Sequence, residues 1–286
     1  MAKQDVIAVV GGSGKLGRLI LKALVKKYGN QYKIRALARD PHKLKEFEGA
    51  VDVFPGDLGS SSQLSVFLQD TSFLIMASGT TSMGNFLDRL GLRAPTTDSA
   101  FFVEFQGMKN ILKACSSDDV HIKKFVLISS SLVSKPFSPI AILLNTLVPD
   151  VMLWKYEAEC LLRKSGINYA IIRPSGLLDD PKITNIDVSS EDGATSMSIT
   201  RATVAEVTVH ALFDSSIIDK TFTLGGLESG GVPISTEAFK SLRSDSSPGD
   251  PNLKFWHKLV TRGVVYVPIA LVLTGGFFAA KFILGK

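Results

Sequence analysis

The 286 residues, 45% of them hydrophobic, suffice for one large domain with a sizeable core, or for such a domain with an appendage. The net charge of +5 comes with no stretch that concentrates Lys and Arg among aromatics, and no nucleic-acid partner is expected. The two cysteines, Cys115 and Cys160, lack metal-ligand spacing and read as small buried thiols in a reducing compartment, so no metal centre is expected either.

The predicted elements begin with Val6-Ile-Ala-Val-Val10, a mostly β-branched run that fits a strand buried on both faces. It starts almost at once, and no N-terminal targeting segment is expected ahead of it. Gly11-Gly12-Ser13-Gly14-Lys15-Leu16-Gly17 follows, and Leu16, Leu19, Ile20, Ala23 and Leu24 then recur at helical spacing. Strand, glycine turn and helix start make an anion site, because free backbone N–H groups and the positive end of the helix dipole converge there. Gly11 permits the turn, Gly14 lets the backbone approach a pyrophosphate, and Gly17 lets helix and strand pack closely. A second strand over 33–37 leads to Arg39. An acid at this place takes the 2′-hydroxyl of NAD, whereas an Arg suits the 2′-phosphate of NADP. Arg39 therefore favours NADP (NADPH) over NAD, although Asp40 follows it directly.

A short strand over 50–54 runs into Pro55-Gly56-Asp57-Leu58, and Ser61 or Ser62 caps the next helix. A strand over 72–77 closes on Ser78-Gly79-Thr80-Thr81, small residues that let a cofactor lie against the backbone. Residues 80–95 read as loop, Asp98 as a helix cap, and Phe101, Phe105, Met108 and Leu112 as a core stripe. The strand over 124–129 ends in Ser129-Ser130-Ser131. The apolar, proline-broken stretch from Pro136 to Trp154 fits a substrate-pocket lid, a membrane- or partner-facing surface, or a packed loop. A helix over 151–165, burying Trp154, Ala158, Leu161 and Leu162, stops at Gly166. A strand over 168–172 follows, then Arg173-Pro174-Ser175-Gly176. The alternation predicts an α/β fold with a doubly wound parallel sheet. A helix over 202–213 and a short strand over 221–224 belong to a small C-terminal substrate-side lobe.

Residues 228–256 read as a linker, with Ser241 to Pro251 rich in Ser, Asp, Pro and Gly. Beyond it, the eighteen residues Gly263 to Ala280 carry no charge, with Lys258 and Arg262 on one side and Lys281 and Lys286 on the other. About 20 apolar residues span a bilayer, and snorkelling cations extend a short span. Residues 257–286 are expected to form a transmembrane anchor, against the alternative of a helix packed on the domain, and 1–227 the dinucleotide-binding domain.

Gly11-Gly-Ser-Gly-Lys-Leu-Gly-Arg18, Gly56-Asp-Leu58, Lys124-Phe-Val-Leu-Ile-Ser-Ser130, Lys155-Tyr-Glu-Ala-Glu159 and Ser165-Gly-Ile-Asn-Tyr-Ala-Ile-Ile-Arg-Pro-Ser-Gly176 together resemble the atypical short-chain dehydrogenase/reductases. The likeness is to the NmrA-like branch of plastid type, associated with the import translocon, and covers about 6–226. The resemblance implies a Rossmann fold with Gly11, Gly12, Ser13, Gly14, Lys15, Leu16 and Gly17 at the pyrophosphate and Arg39 at the ribose phosphate. Asp57 and Leu58 would flank adenine, Ala77, Ser78 and Gly79 the cofactor's middle, and Ser129, Lys155 and Pro174 the nicotinamide ribose and ring. One departure stands out. The main dehydrogenase group uses Tyr-x-x-x-Lys for acid/base work, but here Tyr156 is followed four residues later by Cys160.

Two functions are expected from these residues. One is an NADPH-dependent reductase of a small carbonyl or quinone, with Lys155 as the acid/base or ribose-binding group and Ser129, Ser130 or Tyr156 as helper. Against that stands a plain reading of Lys155 and Glu159 as a solvated i,i+4 pair. The other is a weakly catalytic NADP(H)-binding accessory, assembly or redox-sensing subunit of a membrane complex. The missing Tyr-x-x-x-Lys, the uncharged tail and the apolar 136–153 loop favour the second. The branch favours a plastid membrane, thylakoid or envelope, with a mitochondrial one as the alternative.

Overall fold

The computed structural model describes residues 4–80, 82–83, 94–190 and 196–260. An eight-stranded sheet runs in the order β3-β2-β1-β4-β5-β6-β10-β8. Its strands are β1 (Val6–Val10), β2 (Lys33–Ala38), β3 (Asp52–Pro55), β4 (Thr71–Met76), β5 (Lys124–Ile128), β6 (Tyr169–Pro174), β8 (Asn185–Ser189) and β10 (Lys220–Leu227). All pairings are parallel except that of β8, which lies antiparallel on β10. The expected doubly wound α/β sheet is what the chain forms. A separate two-stranded ribbon, β7 (Gly176–Leu178) with β9 (Ser198–Thr200), stands beside it.

The helices are α1 (Lys15–Tyr28), α2 (Ser61–Leu68), α3 (Gly107–Cys115), α4 (Pro139–Leu147), α5 (Val151–Arg163), α6 (Arg201–Phe213), and the short α7 (Thr236–Phe239) and α8 (Pro251–Lys258). The continuous apolar run of β1 makes sense against both faces. Ile7 and Val9 enter a core with Ile20 and Leu24 of α1 and Val207 and Leu212 of α6. Ala8 and Val10 enter the opposite core with Leu64 and Phe67 of α2 and Met108 and Ile111 of α3. Helices thus cover both sides, as a parallel sheet requires. The chain leaves β1 for β2 on one side and β4 on the other, so the carboxyl end of β1 is the topological switch point where such sheets bind ligands.

Several expectations change in detail. Asp98 does not cap the helix that follows it; the Ser99 hydroxyl accepts the Phe102 N–H, and Asp98 is an ion-pair partner of Arg39. Of the expected core stripe, Met108 is fully buried, while Phe101 and Phe105 pack on Trp154 with ring centroids 4.9 and 5.5 Å away. On α5, Ala158 and Leu162 are buried as expected, but Trp154 and Leu161 are only half-buried. The Pro136 to Trp154 stretch holds α4 and the start of α5: Ile140 and Leu143 of α4 and Phe137 just before it are exposed, and α5 is packed.

The 228–256 stretch, expected as a linker, is held to the domain over much of its length. Phe239 and Leu242 are buried, Asp245 accepts hydrogen bonds from Arg163, Tyr169 and Thr221, and the Asp250 carbonyl accepts from Tyr156. Among the described residues no helix is long and apolar enough to cross a membrane. The uncharged run 263–280 lies outside the described residues.

Candidate functional site

A cleft of about 580 Å³ opens at the carboxyl ends of β1, β2 and β4, lined by the glycine turn, by Arg39, by Asp57 and Leu58, by Ala77 to Thr80, and by Thr97, Asp98, Phe102 and Val103. The glycine turn is built for close approach. Gly11 has φ +82°, and a Cβ there would sit 2.5 Å from the Ser78 nitrogen. A Cβ on Gly17 would fall 2.1 Å from the Gly11 carbonyl oxygen, so only glycine lets α1 start against the turn. Gly14 is the N-cap of α1 and supplies no side-chain acceptor, and no acidic residue occupies the first turn. The first-turn N–H groups are thereby left for an anion. Gly11, Ser13, Gly14, Lys15 and Leu16 line the cleft, while Gly12 and Gly17 support the turn from behind. This cradle, packed too closely for a Cβ at Gly11 or Gly17, fits the pyrophosphate of a dinucleotide.

At one end of the cleft, Arg39 Nη1 lies 2.5 Å from Asp98 Oδ1, and its Nε lies 4.0 Å from Asp57 Oδ2. Asp57 is itself fixed by the Gly59 N–H, 2.7 Å from Oδ1. Lys43 lines the same end. In a dinucleotide-binding sheet, the end that β2 delivers is the one that meets the adenosine ribose.

Behind the cleft wall at Gly79 lie charged side chains far apart in sequence. Lys155 does not pair with Glu159. Its Nζ lies 2.9 Å from Oε1 of Glu104, which sits on the π-helical turn Phe101–Gln106. Glu104 is buried, and Lys155 keeps only 14% of its side chain exposed. The pair stands behind Gly79: a Cβ there would be 3.6 Å from Glu104 Oε1 and 4.0 Å from Lys155 Nζ. Burial raises the Glu104 pKa, and Lys155 and the Thr80 N–H pull it back only in part.

Glu159 instead accepts a bidentate pair from Arg173, at 3.0 and 2.7 Å, and a third bond from Arg163 at 2.9 Å. Burial pushes its carboxyl up, but Arg173, Arg163 and the Ser129 hydroxyl bring it down to about 2. Ser129 thus lies beside Glu159 at the end of β5. Tyr156 is turned away from the cleft: its hydroxyl donates to the Asp250 carbonyl at 2.7 Å, and burial raises its pKa. Pro174 ends β6, opposite Leu224 of β10. Lys155, Ser129, Tyr156 and Pro174 are not among the residues that line the cleft, and Lys155 stands beside one that does, Gly79.

Sequence reasoning missed Glu104, Asp98 and the Glu159–Arg173 pair as site residues. Two of them carried a signal. Glu104 is the lone acid in Phe-Phe-Val-Glu-Phe-Gln, and Arg173 the lone charge in Tyr-Ala-Ile-Ile-Arg-Pro; a charge inside an apolar run needs a buried partner.

Comparison with known proteins agrees with this geometry. A family described as NAD(P)H-binding matches residues 11–215. An uncharacterized chloroplastic protein of Arabidopsis thaliana is 31% identical over 73% of this chain and 72% of its own. Sanguinarine reductase of Eschscholzia californica is 25% identical over 85% of this chain and 96% of its own. Protein TIC 62, a chloroplastic protein of Pisum sativum, is 28% identical over 71% of this chain but only 39% of its own length. Among solved structures, the oxidoreductase ylbE of Lactococcus lactis shares the fold with a TM-score of 0.65, at 22% identity over 82% of this chain and 95% of that one. Glycine cradle, sheet order and sequence match together place this dehydrogenase/reductase-like chain in the NAD(P)H-binding Rossmann family, in its NmrA-like branch.

Proposed function

We propose that this chain is an NADPH-dependent reductase-type protein acting on a small carbonyl or quinone. The observation that carries the reading is the cleft itself: a glycine cradle for the pyrophosphate, a guanidinium at one end, and a buried ammonium–carboxylate pair behind Gly79 of its wall. Bound NADPH supplies a hydride, chemistry that belongs to the cofactor. The chain's own residues then have separate tasks. Gly11, Gly14 and the first turn of α1 bind the pyrophosphate. Arg39 and Lys43 offer cations to a 2′-phosphate. Lys155, paired with Glu104 beside Gly79, holds the ribose or gives a proton. The reductase named among the relatives supports this reading.

A second reading, a membrane-tethered accessory or redox-sensing subunit, draws on the uncharged 263–280 run and on the exposed Phe137, Ile140 and Leu143. The absence of Tyr156 from the cleft favours weak turnover under that reading. Chloroplastic relatives support a plastid setting for either.

Titration of the full chain with NADPH and NADH, read by energy transfer from protein tryptophan to the reduced nicotinamide, tests both. The expected result is saturable binding with NADPH ahead of NADH, followed by oxidation of bound NADPH by a quinone and loss of that turnover in Lys155→Met. Binding without turnover favours the accessory role. Failure to bind either nucleotide overturns both readings.

A further inference from the structure

Arg39 is not an idle cation waiting for a phosphate. Its guanidinium is held by Asp98 at 2.5 Å, with Asp57 at 4.0 Å on the same side of the cleft. Both carboxylates line that cleft, and so does Thr97 next to Asp98. The three groups are each between two-fifths and two-thirds exposed, so all remain within reach of a ligand. The backbone carbonyl of Asp98 is tied to Thr80, which accounts for its location: the Thr80 hydroxyl donates to it at 2.6 Å. Asp98 therefore reaches the adenosine end from the β4 side of the cleft, across from β2 and Arg39.

We infer that Asp98 sets the cofactor preference by competing with the 2′-phosphate for Arg39. This rests on the proposed binding of a dinucleotide in this cleft and adds a determinant to it. The two cofactors meet different demands. A 2′-phosphate brings about two negative charges and needs the guanidinium fork, so Asp98 must give up its bond and then stands, with Asp57, as a like charge nearby. A 2′-hydroxyl needs only an acceptor, and a carboxylate at this end supplies one. Arg39 pulls the site toward NADPH, and Asp98 pulls it back toward NADH. The preference is the difference between the two.

Asp98→Asn removes the competing charge while keeping the side chain's size, on an exposed position where folding is not at stake. The NADPH dissociation constant of the full chain is expected to fall about fivefold, the scale of one partly screened charge pair, with that for NADH unchanged or higher. Arg39→Ala should move the ratio the opposite way, and Asp98→Asn in that background should then have a much smaller effect on NADPH. Unchanged or weakened NADPH binding in Asp98→Asn, with wild-type binding intact, overturns this inference alone. A wild-type chain that binds neither nucleotide overturns it together with the reading it rests on.

Discussion

Glu159 and Glu104 are both buried, but the protein treats them in opposite ways. Glu159 leaves α5 toward β6 and meets two guanidinium groups, so three hydrogen bonds hold it as a carboxylate. Glu104 meets one ammonium, and its pKa rises. Number and geometry of the partners decide the outcome, since burial alone pushes both carboxyls the same way. Arg presents a rigid fork that matches a carboxylate; Lys presents a point charge that leaves part of the desolvation uncompensated. The first arrangement braces structure, joining α5, β6 and, through Arg163 and Asp245, the 241–250 stretch. The second lies beside Gly79 of the cleft, where a group able to change protonation is useful.

The largest effect is expected from removing the well-satisfied acid. Glu159→Ala leaves Arg173 without its bidentate partner in the interior and takes one bond from Arg163. Breaking such a pair costs about 3–5 kcal/mol, and urea unfolding should show it as a lower midpoint at unchanged slope. A pH series sharpens the comparison. With a folded pKa of about 2 against an ordinary 4.5, the wild-type Glu159 contribution is present above pH 4.5 and is lost as pH falls toward 2. The penalty of Glu159→Ala should shrink over that same range. A cost below 1 kcal/mol at neutral pH would show that the pair is not a brace.

That contrast also marks what the sequence could tell. The β1–α1 unit was legible because everything that matters in it is local: five β-branched or small apolar residues, four glycines in seven positions, and an apolar stripe at helical spacing. The glycine cradle uses backbone, and backbone needs follow from residue type. The doubly wound parallel sheet was legible from alternation, though not its strand order. Pairing of charged side chains was not. Lys155 and Glu159 sit one turn apart on α5 and invite an i,i+4 bond, yet each faces a different neighbour: Glu104, 51 positions before Lys155, and Arg173, beyond the helix on β6. Only the packing of α5 between the π-helical turn and the sheet fixes which way each side chain leaves. Tyr156 illustrates the same limit. Its position beside Lys155 suited a helper role, but one residue further around the helix it faces the Asp250 carbonyl.

A middle-sized effect is expected when Glu104 loses its cation. Lys155→Met strands a buried carboxyl, which escapes by staying protonated. The cost should therefore be about 1–3 kcal/mol at neutral pH, the scale of an unsatisfied buried polar group and less than for Glu159→Ala. It should grow with pH, because the ammonium no longer opposes the upward push of burial. Thermal melting between mildly acidic and mildly alkaline buffers would reveal this. Equal destabilisation at every pH would mean that Glu104 stays ionised without Lys155.

The smallest and most discriminating change is Glu104→Gln. A carboxyl whose folded pKa lies above its unfolded value lends its full stabilisation below the unfolded pKa, here 4.5, and loses it as pH rises through the folded one. Wild type should follow that course, while the amide, which does not titrate, should not. The stability of Glu104→Gln relative to wild type is thus expected to climb as pH passes upward from 4.5, the reverse of the trend for Glu159, whose stabilisation fails on the acid side. Absolute stability matters less than this slope, since the variant also deprives Lys155 of its ion pair at every pH. A flat difference would mean that Glu104 ionises as readily inside the protein as in the unfolded chain. One ammonium and one backbone N–H would then have done for Glu104 what two guanidinium groups do for Glu159.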